Sequence, residues 1–173
     1  MASLVLTVIG PDRPGLVEAL AETIADHGAN WLESRMARME GRFAGLLHVS
    51  IPDGYAESLE QALESLKERG LRVSVQSSNA VALVEETQRL RLELVGQDHP
   101  GIVRHISHAL AERRVNVEDL DTSVSSAPMS GEVLFRARAS LRLPGDLSLE
   151  ELRETLEKIA NELMVDLTID DSD

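Results

Sequence analysis

The sequence predicts an α+β protein built from two copies of one βαββαβ unit, each with an antiparallel sheet and both helices on one face. Three observations predict it. Gly10-Pro11-Asp12-Arg13-Pro14-Gly15-Leu16-Val17 returns as Gly96-Gln97-Asp98-His99-Pro100-Gly101-Ile102-Val103, at an offset of 86 residues. An alternating, β-rich stretch precedes each copy, and apolar residues at helical spacing follow it. The match runs without a gap to Asn30 and Asn116. Two copies of a pattern mean two copies of a fold unit.

In the first unit, Leu4–Ile9 alternates and reads as a strand. Pro14 stands where a helix begins, because its missing N–H costs nothing there. Leu16, Val17, Leu20 and Ile24 mark the inward face of that helix, matched by Ile102, Val103, Ile106 and Leu110. Gly28 ends it. Strands follow at about 30–38 and 42–51, joined by a hairpin at Glu40-Gly41-Arg42. A second helix covers about 55–69, with Leu59, Ala62, Leu63 and Leu66 inward, and Leu71–Gln76 is the last strand. The second unit repeats the order: strand 89–95, helix 100–113, strands 115–124 and 131–143, helix 148–162, strand 164–169. Its hairpin loop, Ser125–Ser130, is longer, and the second helices are expected to match at an offset of 90. The order βαββαβ is the ferredoxin-like split βαβ arrangement. Domain limits follow at 1–76 and 88–170, with 77–87 as linker, although Ala80–Val84 is apolar enough to pack. Each unit is near the lower size limit for an independent core, so the two are expected to pack together, and a homodimer is an assembly open to them.

Composition removes whole classes of function. The 173 residues are 43% hydrophobic and 27% charged, which excludes a wholly disordered chain. No apolar run approaches a membrane span, and the N-terminus lacks the basic start of a signal peptide. Cysteine is absent, which removes disulfides, thiolate metal sites and cysteine nucleophiles and makes the cytoplasm the expected location. Thirty acids against 17 bases give a net charge of −13, shared between both halves. Such a field repels nucleic acid and anionic membranes. Trp31, Phe43, Tyr55 and Phe135 are the only aromatic residues, too few to stack bases.

The repeated motif, Gly-x-Asp-(Arg/His)-Pro-Gly-(Leu/Ile)-Val after a strand with Asn opening the next one, resembles the ACT domain. Two such domains and nothing else are similar to the glycine cleavage system transcriptional repressor group. The resemblance implies a regulatory protein that binds an amino acid where the strand–helix loop of one domain meets a neighbouring domain. It implies action on transcription or metabolism through a protein partner such as a DNA-binding regulator. The copies differ at Arg113-Arg114, where the first has His27-Gly28, and in hairpin length.

The loop chemistry suits an amino acid independently of that resemblance. A helix N-terminus offers unpaired N–H groups and partial positive charge to an α-carboxylate. Gly15 and Gly101 let a ligand approach the backbone. Asp12 and Asp98 supply a carboxylate for an α-ammonium, and Asn30 and Asn116 offer donor and acceptor together. Arg13 and His99, with Leu16 and Ile102, complete the candidate ligand-binding set. The same Asp and Asn types also serve as caps and turn residues.

Other signals read as structure. His105 and His108 share a helix side, but their counterparts are Ala19 and Glu22, so an exposed helix face is favoured over a metal site. Asp119-Leu120-Asp121-Thr122 imitates a phosphatase start, yet Glu33 and Arg35 stand opposite in the repeat, and the lysines, Lys67 and Lys158, lie in amphipathic helices. Arg136, Arg138 and Arg142 form a basic strand face expected to pair with acids such as Glu93. No nucleophile elbow or phosphate loop occurs. No catalytic residue, cofactor or metal is called for, so an enzyme of the phosphatase or deformylase type ranks below a ligand-free interaction scaffold, and both rank below the amino-acid-binding regulator.

Overall fold

The structure, a computed structural model, describes residues 1–78 and 87–172. The chain divides into two compact units, Met1–Ala82 and Leu83–Asp173. Unit 1 comprises β1 (Ala2–Pro11), α1 (Leu16–Asp26), β2 (Asn30–Met39), β3 (Arg42–Ile51), α2 (Ala56–Ser65) and β4 (Arg72–Ser77), with a 3-10 turn at Leu66–Arg69 before β4. Unit 2 comprises β5 (Gln88–Gln97), α3 (Ile102–Glu112), β6 (Asn116–Ser126), β7 (Val133–Leu143), α4 (Leu149–Leu163) and β8 (Val165–Asp171). Each sheet is four-stranded and antiparallel, in the orders β2-β3-β1-β4 and β6-β7-β5-β8. This is the predicted βαββαβ topology twice over. The apolar segment Ala80–Val84 lies outside the described residues.

Each unit has its own core. In unit 1, Leu4, Leu6 and Val8 of β1 and Leu47, Val49 and Ile51 of β3 meet Leu16, Ala19, Leu20 and Ile24 of α1 and Leu59 and Leu63 of α2. In unit 2, Leu90, Leu92 and Leu94 meet Ile102, Ile106, Ala109, Leu110, Leu152 and Leu156. No polar side chain is buried among the described residues.

Four expectations need correction. Pro14 is not the first helical residue: Gly15 intervenes as the N-cap in the left-handed region, φ 91°, and α1 starts at Leu16. Gly101 does the same at φ 99° ahead of α3. Val17 and Val103 are half exposed, because the buried stripe on α1 runs through positions 16, 19, 20 and 24, and a residue 100° round the helix leaves it. Ala62 is only partly buried. The second helices match at an offset of 93, Leu59 with Leu152 and Leu63 with Leu156, since the β6–β7 connection and its flanking strands are longer than their counterparts.

Local devices explain the element ends. Gly28 takes φ 67° past α1 and donates its N–H to Ala25 O, the left-handed stop expected of it. Arg114 fills the equivalent place at φ 57° without being glycine. Glu40 and Gly41, at φ 48° and 74°, make a two-residue hairpin turn of the type that matches strand twist. Ser148 caps α4 in a reciprocal capping box with Glu151. The edge strands β2 and β6 each carry a β-bulge after their second residue, at Leu32 and at Glu118. The bulge shifts the alternation, so that Trp31, Ser34, Met36 and Arg38 face the helix side with Val49, Leu47, Gly45 and Phe43.

Candidate functional site

The repeated loop follows β1 and β5 at the end of the sheet. The two glycines of its motif have separate tasks. A Cβ on Gly10 would lie 3.0 Å from Gly70 O, and one on Gly96 would run into Val165, so the first glycine permits the crossing strand end to approach. The second, Gly15 or Gly101, turns the chain through the left-handed region into the helix. Asp12 donates its N–H to Gly41 O, and Asp98 donates to Val133 O, which ties each loop to the neighbouring hairpin.

The helix starts beyond these loops are open. Neither α1 nor α3 has a side-chain cap, so the first-turn N–H groups of both helices lack the partner that Ser148 provides in α4. Asp12 and Asp98 therefore do not cap. These N–H groups and the helix dipole form an anion-seeking end in each unit.

The two aspartates are not equivalent. Arg38 Nε lies 3.0 Å from Asp12 Oδ2, so this carboxylate already has a cation. Asp98 is exposed and has no ion-pair partner among the described residues. The residues after them diverge in type but agree in reach. The Arg13 guanidinium lies against Gly70, where a Cβ would come within 3.1 Å of its Nη2. His99 places Nε2 3.2 Å from Leu163 O and Nδ1 3.1 Å from Pro100 O. Both side chains thus brace the loop against the end of the second helical segment.

The predicted set is only partly assembled. Leu16 and Ile102 are core residues, 5% and 3% exposed, and can offer a ligand only their backbone. Asn30 and Asn116 do not join the loops of their own units. Asn30 pairs with Ser50, and Ser50 with Ser3, while the loop leaves β1 beyond Gly10. Seven residues of strand separate Ser3 from Gly10, about 23 Å at the usual rise. Asn116 stands with Arg142 and Arg89, at the far end of β5 from Gln97.

Several residues that line the sites were not in the predicted set. In unit 1, a cleft on one side of the loop is walled by Arg13, Glu18, Glu22 and Arg69, and one on the other side by Asp12, Val17 and Phe43. In unit 2, an apolar cavity lies against the first turns of α3. Arg38 was the residue most open to foresight, since pairing across the Glu40-Gly41 hairpin brings the end of β2 beside Asp12.

The remaining candidates resolve as structure. His105 Nδ1 lies 2.7 Å from Gly101 O, while His108 approaches Glu112, so the two imidazoles turn to different partners. No group of three potential ligands that could hold a metal occurs among the described residues. On the outer face of the second sheet Arg142 pairs with Glu118 and Arg138 with Glu93, as the alternating arginine row implies. Asp121 stands opposite Arg138 in that same face. No described helix is long and apolar enough to cross a membrane.

Against known proteins, one full-length structural match is an "Unknown Protein" from Galdieria sulphuraria, 30% identical, covering 99% of both chains with a TM-score of 0.88. A provisionally assigned glycine cleavage system transcriptional repressor superposes with a TM-score of 0.72 over 99% of this chain and 97% of its own, at 20% identity, which speaks for the shared fold. Among curated sequences, a phosphoserine phosphatase of Mycobacterium tuberculosis is 27% identical over 98% of this chain, which spans 41% of that enzyme's length. The UPF0237 protein MMP0657 of Methanococcus maripaludis is 34% identical over 46% of this chain and 91% of its own. Residues 2–83 and 88–170 each match the ACT domain model, one match for each βαββαβ unit and its glycine loop. Repeated motif, topology and family model coincide over nearly the whole sequence, and the chain belongs to the ACT domain family.

Proposed function

We propose that this protein is a regulatory amino-acid-binding module that passes its signal to a protein partner. The observation that carries this reading is the pair of uncapped helix N-termini, each presented behind a left-handed glycine. Such an end suits an α-carboxylate, and in unit 2 the unpaired Asp98 stands near it for an α-ammonium. Membership of the ACT family supports the same reading.

Regulation of transcription, in this proposal, runs through a DNA-binding partner. Both matched segments are spent on sheet-covering units, and the net charge of −13 opposes direct contact with phosphate. An acidic surface instead speeds encounter with a basic protein. A bound amino acid changes the output if it favours one of two arrangements of the chain. Calorimetry against the common amino acids tests the first half, and heat from none of them would refute it. A gel-shift assay at moderate salt tests the second. Sequence-specific binding to a promoter fragment by the protein alone would overturn the partner mechanism.

A further inference from the structure

Strand β6 is the longest edge strand of either sheet, and every one of its residues, Asn116–Ser126, is exposed. It has β7 on one side only, so alternate residues turn their N–H and C=O groups outward with no strand to receive them. Beyond the bulge at Glu118, Asp119–Ser126 pairs with β7 without interruption. Leu120, Thr122 and Val124 stand opposite Ala139, Ala137 and Phe135 of the core, so all three face the helix side. Yet Leu120 is 51% and Val124 56% exposed, because the helix layer stops short of this edge. An apolar cavity opens there, with Leu120 in its wall beside Val103 and Ile106 of α3. The opposite face of β6 holds Asp119, Asp121, Ser123 and Ser125. Charges ordinarily blunt a sheet edge. β8 carries Asp166, Asp170 and Asp171, and β2 carries Glu33, Arg35 and Arg38. From Leu120 to Ser126, β6 carries Asp121 alone.

We propose that a second copy of this chain pairs with β6, strand to strand about a twofold axis through Thr122, joining two sheets into one. Such an axis, perpendicular to the sheet, sets the identical strands antiparallel and keeps like faces together. The sequence then selects the register. An axis through Asp121 would set that residue against its own copy, and one through Leu120 would set Asp119 against Asp121; like charges directly opposite are destabilising. An axis through Ser123 would leave Leu120 against Ser126. With the axis through Thr122, Leu120 meets the copy's Val124 on the helix side, and the twofold repeats the contact. On the other face Asp121 meets Ser123 and Asp119 meets Ser125, so no like charges oppose. Arg136 completes the fit. It stands opposite Ser123 and has no ion-pair partner among the described residues. The copy's Asp121 then lies two strand spacings away, about 10 Å, with only the short serine between, a gap that extended arginine and aspartate side chains span. The net charge of −13 resists association at long range, and at about 0.15 M salt the screening length of about 8 Å leaves the local pairing to decide.

This assignment stands apart from the amino-acid-binding reading, and cross-linking of the full chain tests it. The chain has no cysteine, so a single introduced one reports alone. Thr122→Cys places two thiols directly opposite, at a Cα separation of about 4.5–5.5 Å, within the range a disulfide spans. Oxidation is expected to give a covalent dimer on a non-reducing gel. Ser126→Cys, whose two copies lie eight residues apart along the paired strands, roughly 27 Å, is expected to give none. Analytical ultracentrifugation of the unaltered chain at about 0.15 M salt should show a dimer. Leu120→Lys with Val124→Lys, both at exposed positions, sets lysines opposite each other. That variant should dissociate at least roughly tenfold more readily while its circular dichroism spectrum is retained. If it fails to fold, the cysteine variants decide. A monomer at every concentration would overturn the proposal. So would a dimer that T122C links no better than S126C, which places the contact elsewhere. Protection of the β6 amides from hydrogen exchange only when a different protein is added would assign the edge to that protein and overturn the self-pairing.

Discussion

Substitution of Gly15 by alanine isolates the backbone device on which both loops depend. Gly15 sits at φ 91° and ψ −5°, and a Cβ built there meets no atom within 4 Å. The cost is therefore conformational, with no steric collision to add. An L-residue held in the left-handed region loses about 1–2 kcal/mol. Stiffening of the unfolded chain by alanine offsets about 0.4–1 kcal/mol of this. A net loss of about 1 kcal/mol is expected, near a fivefold shift in the folding equilibrium. Trp31 is the sole tryptophan and lies in unit 1, so its fluorescence in a urea titration reports this unit. With a slope of about 2 kcal/mol per molar, the midpoint should fall by about 0.5 M. Gly15→Asn should fall between glycine and alanine, because asparagine tolerates the left-handed region better. An unchanged or raised midpoint for the alanine variant would refute the left-handed cap and, with it, the account of why the motif closes on glycine.

Three further outcomes follow from individual contacts. Ser148→Ala removes the cap of α4, with its bond from the Glu151 N–H at 3.2 Å, and should cost about 1 kcal/mol, read as a drop in thermal midpoint. The Ser148 backbone N–H and hydroxyl hold the Glu151 carboxyl below its ordinary value. Its contribution to stability is thus fully present above the ordinary glutamate range and is lost as pH falls through the lowered value, so the gap in thermal midpoint between the unaltered protein and Glu151→Gln should close with acidification. Asp98→Asn should weaken amino-acid binding about tenfold or more by calorimetry, whereas Asp12→Asn should change it little, because Arg38 already holds Asp12. Equal losses would contradict the inequivalence of the two aspartates.

The fold was legible because its signals are local and duplicated. Alternation in β1 and β5, helical spacing after Gly15 and Gly101, and the Glu40-Gly41 turn each point to one conformation, and the repeat supplies a second reading of every element. What stayed hidden depends on partners distant in sequence. Val17 reads as core because it is apolar beside Leu16, yet exposure is decided by which helix face the sheet meets. The bulges at Leu32 and Glu118 leave no composition signal, so the true facing of Trp31 and Met36 could not be read from alternation. In sequence Asn30 groups with Asp12 because both flank the same helix. An eleven-residue helix displaces its ends by about 16 Å, and the strand register then confirms that they belong to opposite ends of the sheet. The Asp12–Arg38 pair was likewise invisible until the hairpin register was known.

The two units agree where the backbone does the work and differ where side chains do. Gly10 with Gly96 and Gly15 with Gly101 keep the same close approach and the same left-handed turn, so each unit presents an uncapped helix end of the same form. In the proposed function a carboxylate reads only that backbone, which both units present in the same form. A ligand's side chain reads the walls, and these diverge. Unit 1 sets charged Arg13, Glu18, Glu22 and Arg69 along its cleft and packs Trp31 and Met36 of β2 on its core. Unit 2 has an apolar cavity between α3 and its sheet and keeps Asp98 unpaired among the described residues. Under the proposed amino-acid binding, a shared helix end with divergent walls favours selection of different side chains by the two units over two equal sites for one ligand.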